Sequence, residues 1–473
     1  MKVLRNYIYN VSYQILAIIL PIITYPYVSR TLLPQGVGIY SYTYSIVQYF
    51  VLFAGLGIPL YGNRQIAYVR DSNNKLSVNF WEILILEFNT VIISLFSYLL
   101  FIFFYQFDEK YLLIQSLYII AVFFDISWLF MGIEDFKKIV IRNTLVKFVT
   151  VAAIFIFVRS SQDTGIYVLI MALGTFLGNI TFWPYLHGVV NRVSLKELHP
   201  FRHIKPTIAL FIPQIAIQVY AQLNKTMLGA MKSQVDSGFY NYSDSLIKMV
   251  LTIITSIGTV MLPHIANAYS NKETTRVIQM VKESFNIVLC VSLAMSFGIA
   301  AIAQKFAVFF YGKQYIVVGQ AILLESVVII PISLASVIGN QYLVPTNRVS
   351  IYTTSVVLGA ITNIVINFPL IYFKGLYGAI ISTVISEFVV TTYQIYKSSN
   401  KLPYKKMFKD VKKYLFASVA MFIVVRILNF IFVMNIFSLL FEISIGIFVY
   451  IALLYLTNAT IISWISKFIF KRS

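Results

Sequence analysis

Five basic residues, Arg30, Lys147, Lys225, Lys248 and Arg426, fall within or at the edge of long apolar runs. Charge at that depth in a hydrocarbon layer is costly and is usually kept for a purpose. Acidic residues share the same runs: Glu82, Glu87, Asp125, Asp244, Glu325, Glu387 and Glu442. Asp244 and Lys248 stand four apart, on one helix face and within pairing reach. Either the pair only neutralises itself, or it lines a polar cavity in which the lysine exchanges its carboxylate for an anion. Gln214, Gln218, Gln222 and Lys225 recur at intervals of four, four and three, one polar stripe with Asn224 beside it. Such a stripe must face protein or water, not lipid. The chemistry on offer is electrostatic capture of an anion, hydrogen bonding through amides, and proton or Na⁺ exchange at Asp125, Glu82, Glu87 or Asp244.

Covalent chemistry finds no support. The chain has no Walker A lysine, no GxGxxG after a strand, no GxSxG elbow and no HExxH. His187, His199, His203 and His264 fall in loops or at a helix end and form no ligand set; His199 and His203 are four apart, which a solvent-facing linker explains. Cys290 is the sole cysteine, so disulfides and CxxC metal sites are excluded. No catalytic residue, metal or cofactor is expected, and any coupling would use H⁺ or Na⁺.

The elements that must position these side chains are membrane helices. Hydrophobic residues make up 59% of the 473 and charged residues 12%, about half the charged share of a soluble domain. A formal charge of +19 does not signal nucleic acid, because the basic residues are spread over alternate short loops with no basic face. The basic start, Met1-Lys-Val-Leu-Arg-Asn, precedes no small-residue cleavage site and is taken as a retained first helix. At about 20 residues per crossing, fourteen spans fit, near 8–29, 39–61, 80–104, 111–132, 139–158, 165–186, 208–230, 239–262, 284–310, 316–340, 351–373, 376–396, 411–434 and 436–466.

Charge then orients them. Odd gaps hold seven basic residues, while the even gaps and both ends hold twenty-six, including Lys397, Lys401, Lys405, Lys406, Lys409, Lys412 and Lys413. Positive loops are retained on the cytoplasmic side, so both termini are expected there. The polar gap 188–207 separates an expected N-lobe (1–187, spans 1–6) from a C-lobe (208–397, spans 7–12). Residues 398–473 add a basic loop and two further helices. Gly38-Ile-Tyr40-Ser-Tyr42 recurs as Gly238-Phe-Tyr240-Asn-Tyr242, and Ser45 as Ser245, as expected of two repeated lobes. Within the spans, Pro21 and Pro26 free backbone carbonyls, either for a packing kink or for a bendable helix beside the cavity, and Arg30 is either a cavity cation or an interfacial anchor. Arg142 can snorkel, Lys147 lies too deep to do so, and Arg426 and Glu442 are candidates for a structural pair.

These residues resemble a known family. Asp125-Ile-Ser-Trp128-Leu-Phe-Met-Gly132-Ile-Glu134-Asp-Phe136-Lys137, followed by Ile141-Arg142-Asn143 and Lys147, looks like the fourth and fifth helices of Wzx-type bacterial oligosaccharide flippases. Pro26-Tyr-Val-Ser29-Arg30, Gly36-Val-Gly38-Ile-Tyr40 and Gly62-Asn-Arg64 with Ile66-Ala67 are similar to that family's opening, and Ser382-Thr-Val-Ile-Ser386-Glu387 to its twelfth helix. The superfamily also holds MATE exporters and the lipid II flippase. The resemblance implies an all-α membrane protein of the bacterial cytoplasmic membrane, with two six-helix lobes forming a V-shaped cavity. It also implies alternating access for an oligosaccharide on undecaprenyl pyrophosphate, moved to the outer leaflet for capsular or exopolysaccharide synthesis. Membrane lipids and the pathway's polymerase and chain-length proteins would be partners, with a monomer as the default state.

On that footing Arg30, Arg64, Lys147, Lys225 and Lys248 are expected to engage the diphosphate, since charge-assisted contacts to phosphate are the stronger kind. Gln214, Gln218, Gln222 and Asn224 would take the sugar; Asp125, Asp244 and Glu87 would compensate charge and respond to ions. A MATE-like ion-coupled exporter of small molecules is the alternative, although it should favour an acidic cavity. A membrane-embedded glycosyltransferase would need a large extramembrane loop, and no gap here is long enough.

Overall fold

The computed structural model describes residues 2–462. All of its regular elements are helical. In chain order they are α1 (Lys2–Gly55), α2 (Ile58–Val69), α3 (Asn73–Tyr105), α4 (Glu109–Phe124), α5 (Ser127–Gly132), α6 (Phe136–Phe157), α7 (Thr164–Ile180) and α8 (Ile204–Met231). There follow α9 (Gln234–Ser270), α10 (Thr274–Tyr311), α11 (Ile316–Glu325), α12 (Ile329–Ser336), α13 (Val349–Lys374), α14 (Leu376–Ser398), α15 (Tyr404–Met407), α16 (Val411–Ile431) and α17 (Ile436–Leu456).

Twelve stretches among the described residues are long and apolar enough to cross a bilayer. The first, Ile18–Val69, holds two expected spans: α1 changes direction at Leu33 (φ 59°, ψ 174°), just before Pro34, which has no N–H to donate. The polar-striped α8 is a further helix of spanning length. Counted so, the fourteen expected spans are recovered, and the chain is a multi-pass membrane protein. The expected last span, 436–466, runs beyond Leu456, and residues 463–473 lie outside those described. The expected tenth span is built in pieces, α11, a 3₁₀ turn (Ser326–Val328), α12 and a π-helical stretch (Val337–Leu343).

The helices cluster into two compact units, Met1–Gly238 and Phe239–Ser473. In the first, Ile58, Tyr61, Ile66, Phe80, Ile83, Trp128, Phe130 and Phe182 form one core and Tyr42, Val47, Tyr98, Leu112 and Ile119 another. The residues that carry the family resemblance are largely a packing joint. A Cβ on Gly62 would come within 2.7 Å of the Trp128 ring, and one on Gly132 within 2.6 Å of Ile66. Only a bare backbone lets α2 and α5 approach that closely.

In the second unit α16 and α17 are fastened to α10. The Arg426 guanidinium donates to the Ala301 carbonyl (3.1 Å) and to Gln304 Oε1 (2.6 Å). Glu442, fully buried, accepts from Asn429 Nδ2 (2.9 Å). The expected Arg426–Glu442 pair is therefore replaced by two separate anchors. Lys305 of α10 donates to the carbonyls of Asn429, Phe430 (3.2 Å) and Phe432 (2.9 Å), closing the C-terminal end of α16. Those carbonyls have no partner within their own helix.

Candidate functional site

A cavity of about 370 Å³ opens between α1, α6 and α7, lined by Tyr25, Asn143, Lys147, Thr150, Tyr167 and Asn179 among others. Lys147 lies half-buried on its wall. Arg142, one turn earlier, does not snorkel. Its Nε donates to the Gly178 carbonyl (2.6 Å), its other nitrogens to Asn143 and Asn179, and its plane covers the Phe182 ring at 4.5 Å. Arg142 thus joins α6 to α7 and shapes the cavity. Behind the wall residue Tyr167 lies a cluster of tyrosines: Tyr40 stacks on Tyr44 (5.4 Å) and meets Tyr167 edge-on (4.9 Å), while Tyr44 meets Tyr118 edge-on (5.2 Å). Aromatic faces beside amides and a cation can bind a polar, ring-shaped, anionic ligand.

The glutamine stripe of α8 faces protein, as its spacing requires. Gln218 Nε2 donates to Gln48 Oε1 (3.3 Å), and Thr226 Oγ1 bonds Ser45 Oγ (2.9 Å) and the Tyr49 hydroxyl (3.1 Å), all on α1. Gln214 is half-buried. Gln222, Asn224 and Lys225 are buried, and Gln222 Oε1 has no hydrogen-bond partner.

The acidic candidates divide by surroundings. Glu87 is fully buried and neither carboxyl oxygen makes a hydrogen bond. Asp125 and Trp128 are its polar neighbours. Asp125 sits in the break between α4 and α5, where its Oδ1 accepts from the Ser127 N–H (3.1 Å). In the other unit Lys248 Nζ lies 2.7 Å from Asp244 Oδ2; the lysine is about half exposed and the carboxylate nearly buried. The predicted face-sharing pair is formed. Glu325 and Glu387 also act electrostatically on Lys248, and Glu325 accepts from the Ser243 hydroxyl.

Arg30 and Arg64 are exposed. Arg30 donates to the Pro26 carbonyl (3.3 Å) one turn back, and Arg64 lies 5.9 Å from the Tyr61 ring centre.

One polar constellation escaped the sequence reading. Glu82 is fully buried on α3, yet its oxygens belong to the polar gap that follows α7. Oε1 accepts from the His199 backbone N–H (2.7 Å); Oε2 takes His203 Nε2 (2.8 Å) and the Arg202 guanidinium. The far side of the His203 ring, Nδ1, meets the Tyr61 hydroxyl (2.6 Å). Burial pushes the His203 imidazole below the usual histidine range, against the opposing pull of Glu82. Nearby, Trp81 Nε1 donates to the Asn191 carbonyl (3.0 Å) and the Asn191 N–H to Ser77 Oγ (2.9 Å). His203 is therefore a buried structural hinge-pin and not a loose linker residue, and Glu82 is its partner. The only sequence signal was a carboxylate and a histidine with unexplained positions, 121 residues apart.

Known proteins resemble this chain throughout its length. Residues 3–269 match the family model described as "Polysaccharide biosynthesis protein". A protein of Escherichia coli (strain K12) named as an O-antigen transporter is 24% identical over 405 residues, covering 84% of this chain and 97% of that relative. A Shigella dysenteriae protein of the same name is 25% identical over 298 residues, 60% of this chain and 71% of its own length. Among solved structures, the lipid II flippase MurJ in an inward closed conformation superposes with a TM-score of 0.78 at 17% identity, covering 97% of this chain and all of that one. An inward-facing MATE family multidrug transporter of the MOP superfamily gives 0.68 at 14% identity, covering 86% and 96%. These two likenesses establish a shared fold. The family match spans more than half of the residues, and the chain belongs to the polysaccharide biosynthesis protein family.

Proposed function

We propose that the chain is a flippase for lipid-linked oligosaccharide, moving repeat units on undecaprenyl pyrophosphate from the cytoplasmic to the outer leaflet of a bacterial cytoplasmic membrane. The observation that carries this reading is the cavity of the first unit, where Lys147, amides and tyrosine faces are held inside an otherwise apolar body. A glycan needs amides and aromatic faces, and its diphosphate needs cations at membrane depth. The names of the relatives, O-antigen transporter and lipid II flippase, support the same cargo class. In this reading Lys147, Lys225 and Lys248, with Arg30 and Arg64, engage the diphosphate, and Gln214, Gln218, Gln222 and Asn224 engage sugar. The chain performs no covalent chemistry, and two six-helix lobes alternate in access, with both termini cytoplasmic. Binding shifts such an equilibrium only as far as affinity differs between the two states.

Glu87, Asp125 and Asp244 supply the ion response. An ionised carboxylate without a partner is expensive at this depth, and Glu87 escapes that cost by carrying a proton. H⁺ release from Glu87 would recharge the site, with Asp244 neutralising Lys248 when cargo is absent.

Replacing Lys225 or Lys248 with Ala should abolish surface polymer while membrane levels of the protein stay normal; normal export from both single variants overturns the diphosphate assignment. Depletion of the protein should accumulate a lipid-linked glycan on the inner leaflet, and its sugar composition names the cargo. Drug resistance conferred without any effect on polymer would favour the small-molecule exporter instead.

A further inference from the structure

The segment that leaves α14 is a folded turn that presents unpaired positive charge. Leu402 (2% exposed) and Met407 (fully buried) point inward. The Tyr404 hydroxyl bonds Ser398 Oγ (2.6 Å), and the Phe408 ring meets Phe285 of α10 edge-on at 5.1 Å. Lys401, Lys405, Lys406, Lys409 and Lys412 all remain exposed. The one acid of the segment, Asp410, is turned inside, accepting from the Thr460 N–H (2.9 Å) and pairing with Lys413 (3.3 Å).

Some cations near helix ends elsewhere stand against acids: Arg70 on Glu134 (2.6 Å), Lys138 on Asp135 (3.1 Å), Arg276 on Glu273 (2.8 Å). Among the described residues none of these five lysines has an acidic partner. Orientation during insertion requires positive residues but not a fold that holds them together, so the positive-inside rule explains their number and not their setting. The start of the turn also fixes its depth. Lys397 lies over the Tyr393 and Tyr396 rings (5.8 and 5.6 Å), and Tyr396 is 71% exposed, the arrangement of an interfacial aromatic anchor.

We infer that residues 401–412 form a docking surface for the phosphate headgroups of anionic lipids in the leaflet they face. Charge complementarity and interfacial depth both favour a lipid surface over a soluble acidic protein. Each lysine near such a surface adds to the attraction, so the five together hold anionic headgroups more tightly than a neutral loop would.

The test uses the full-length protein purified in detergent, with native mass spectrometry counting retained phosphatidylglycerol and phosphatidylcholine. Wild type should retain phosphatidylglycerol preferentially. A variant with Lys401, Lys405, Lys406, Lys409 and Lys412 all replaced by Gln should lose that preference by about tenfold or more. The matching five-Arg variant should keep it, since charge and not ammonium shape is required. These side chains carry no packing, so thermal unfolding should be unchanged in both and misfolding is not an explanation. Equal retention by wild type and the Gln variant overturns the inference. So does competition by millimolar inorganic phosphate, which would mark a free-phosphate site.

Discussion

His203 and Glu82, 121 residues apart, meet at 2.8 Å inside the first unit. The contact converts the longest polar gap of the chain into a docked element. Tyr61 closes the far side of the imidazole, and Arg202 and the His199 N–H fill the carboxylate. Four polar contacts are made in a region that hydropathy marks only as polar.

The first prediction is a pH dependence of this docking. Because the folded state holds His203 below its ordinary range, the undocked imidazole takes a proton first as pH falls below about 6.5. Docking is therefore complete above that value and weakens on acidification. Arg202, Arg64, Glu82 and Tyr61 are the charged or titratable groups around it. Hydrogen exchange of residues 191–203, corrected for intrinsic rates, should quicken between about pH 7.5 and 5.5. His203→Gln, which cannot titrate, should flatten the response.

Arg142 and Lys147 should part company. Loss of the Arg142 clamp, in Arg142→Ala, removes charged hydrogen bonds that join α6 and α7 and should destabilise by about 2–3 kcal/mol. Lys147→Ala, on the cavity wall, should leave thermal unfolding nearly unchanged and lower surface polymer. Thermal shift and polymer yield measured on the same two variants decide it; a stable Arg142→Ala protein with lost export would reverse the two roles.

Glu87→Gln exchanges a partnerless carboxyl for an amide of the same shape. The variant should unfold at or above the wild-type temperature, because burying the amide requires neither desolvating a charge nor taking up a proton. If Glu87 carries the coupling proton, export by this variant should lose its dependence on the pH gradient. Retained dependence would assign coupling elsewhere.

Gly38 marks a close approach within the first unit. A Cβ there would come 2.5 Å from the Gln234 carbonyl oxygen, a backbone atom that cannot turn away, and one on Gly238 would come 2.9 Å from the Gly38 Cα. Gly38→Ala should cost about 1–3 kcal/mol, read as a lowered midpoint of thermal unfolding.

Much of this was legible because each signal is local. The spans follow from runs of apolar residues, the Asp244–Lys248 pair from a four-residue offset, and the α8 stripe from a repeat of three and four. Leu33 was not legible as a left-handed turn: Pro21 and Pro26 drew attention, yet the change of direction lies beyond both, just before Pro34. What sequence alone could not supply were partners drawn from distant helices. Arg142 looked free to snorkel because Gly178 and Asn179 lie 36 and 37 residues on. Arg426 and Glu442 looked paired because they are near in sequence, yet Gln304 and Asn429 won each of them by position in space.

The cap that Lys305 places on α16 bears on the order of assembly. Its ammonium and the Ala301 carbonyl that receives Arg426 both belong to α10, which is made well before α16. Chains fold from the N-terminus as they are synthesised, so the landing site is already in the membrane when the last hairpin emerges. A hairpin made without α10 would leave three carbonyls bare at the end of α16 and an unanswered guanidinium in its middle, both expensive in lipid. The last two helices are thus a late arrival that depends on its host, and they should insert poorly when expressed as a separate fragment.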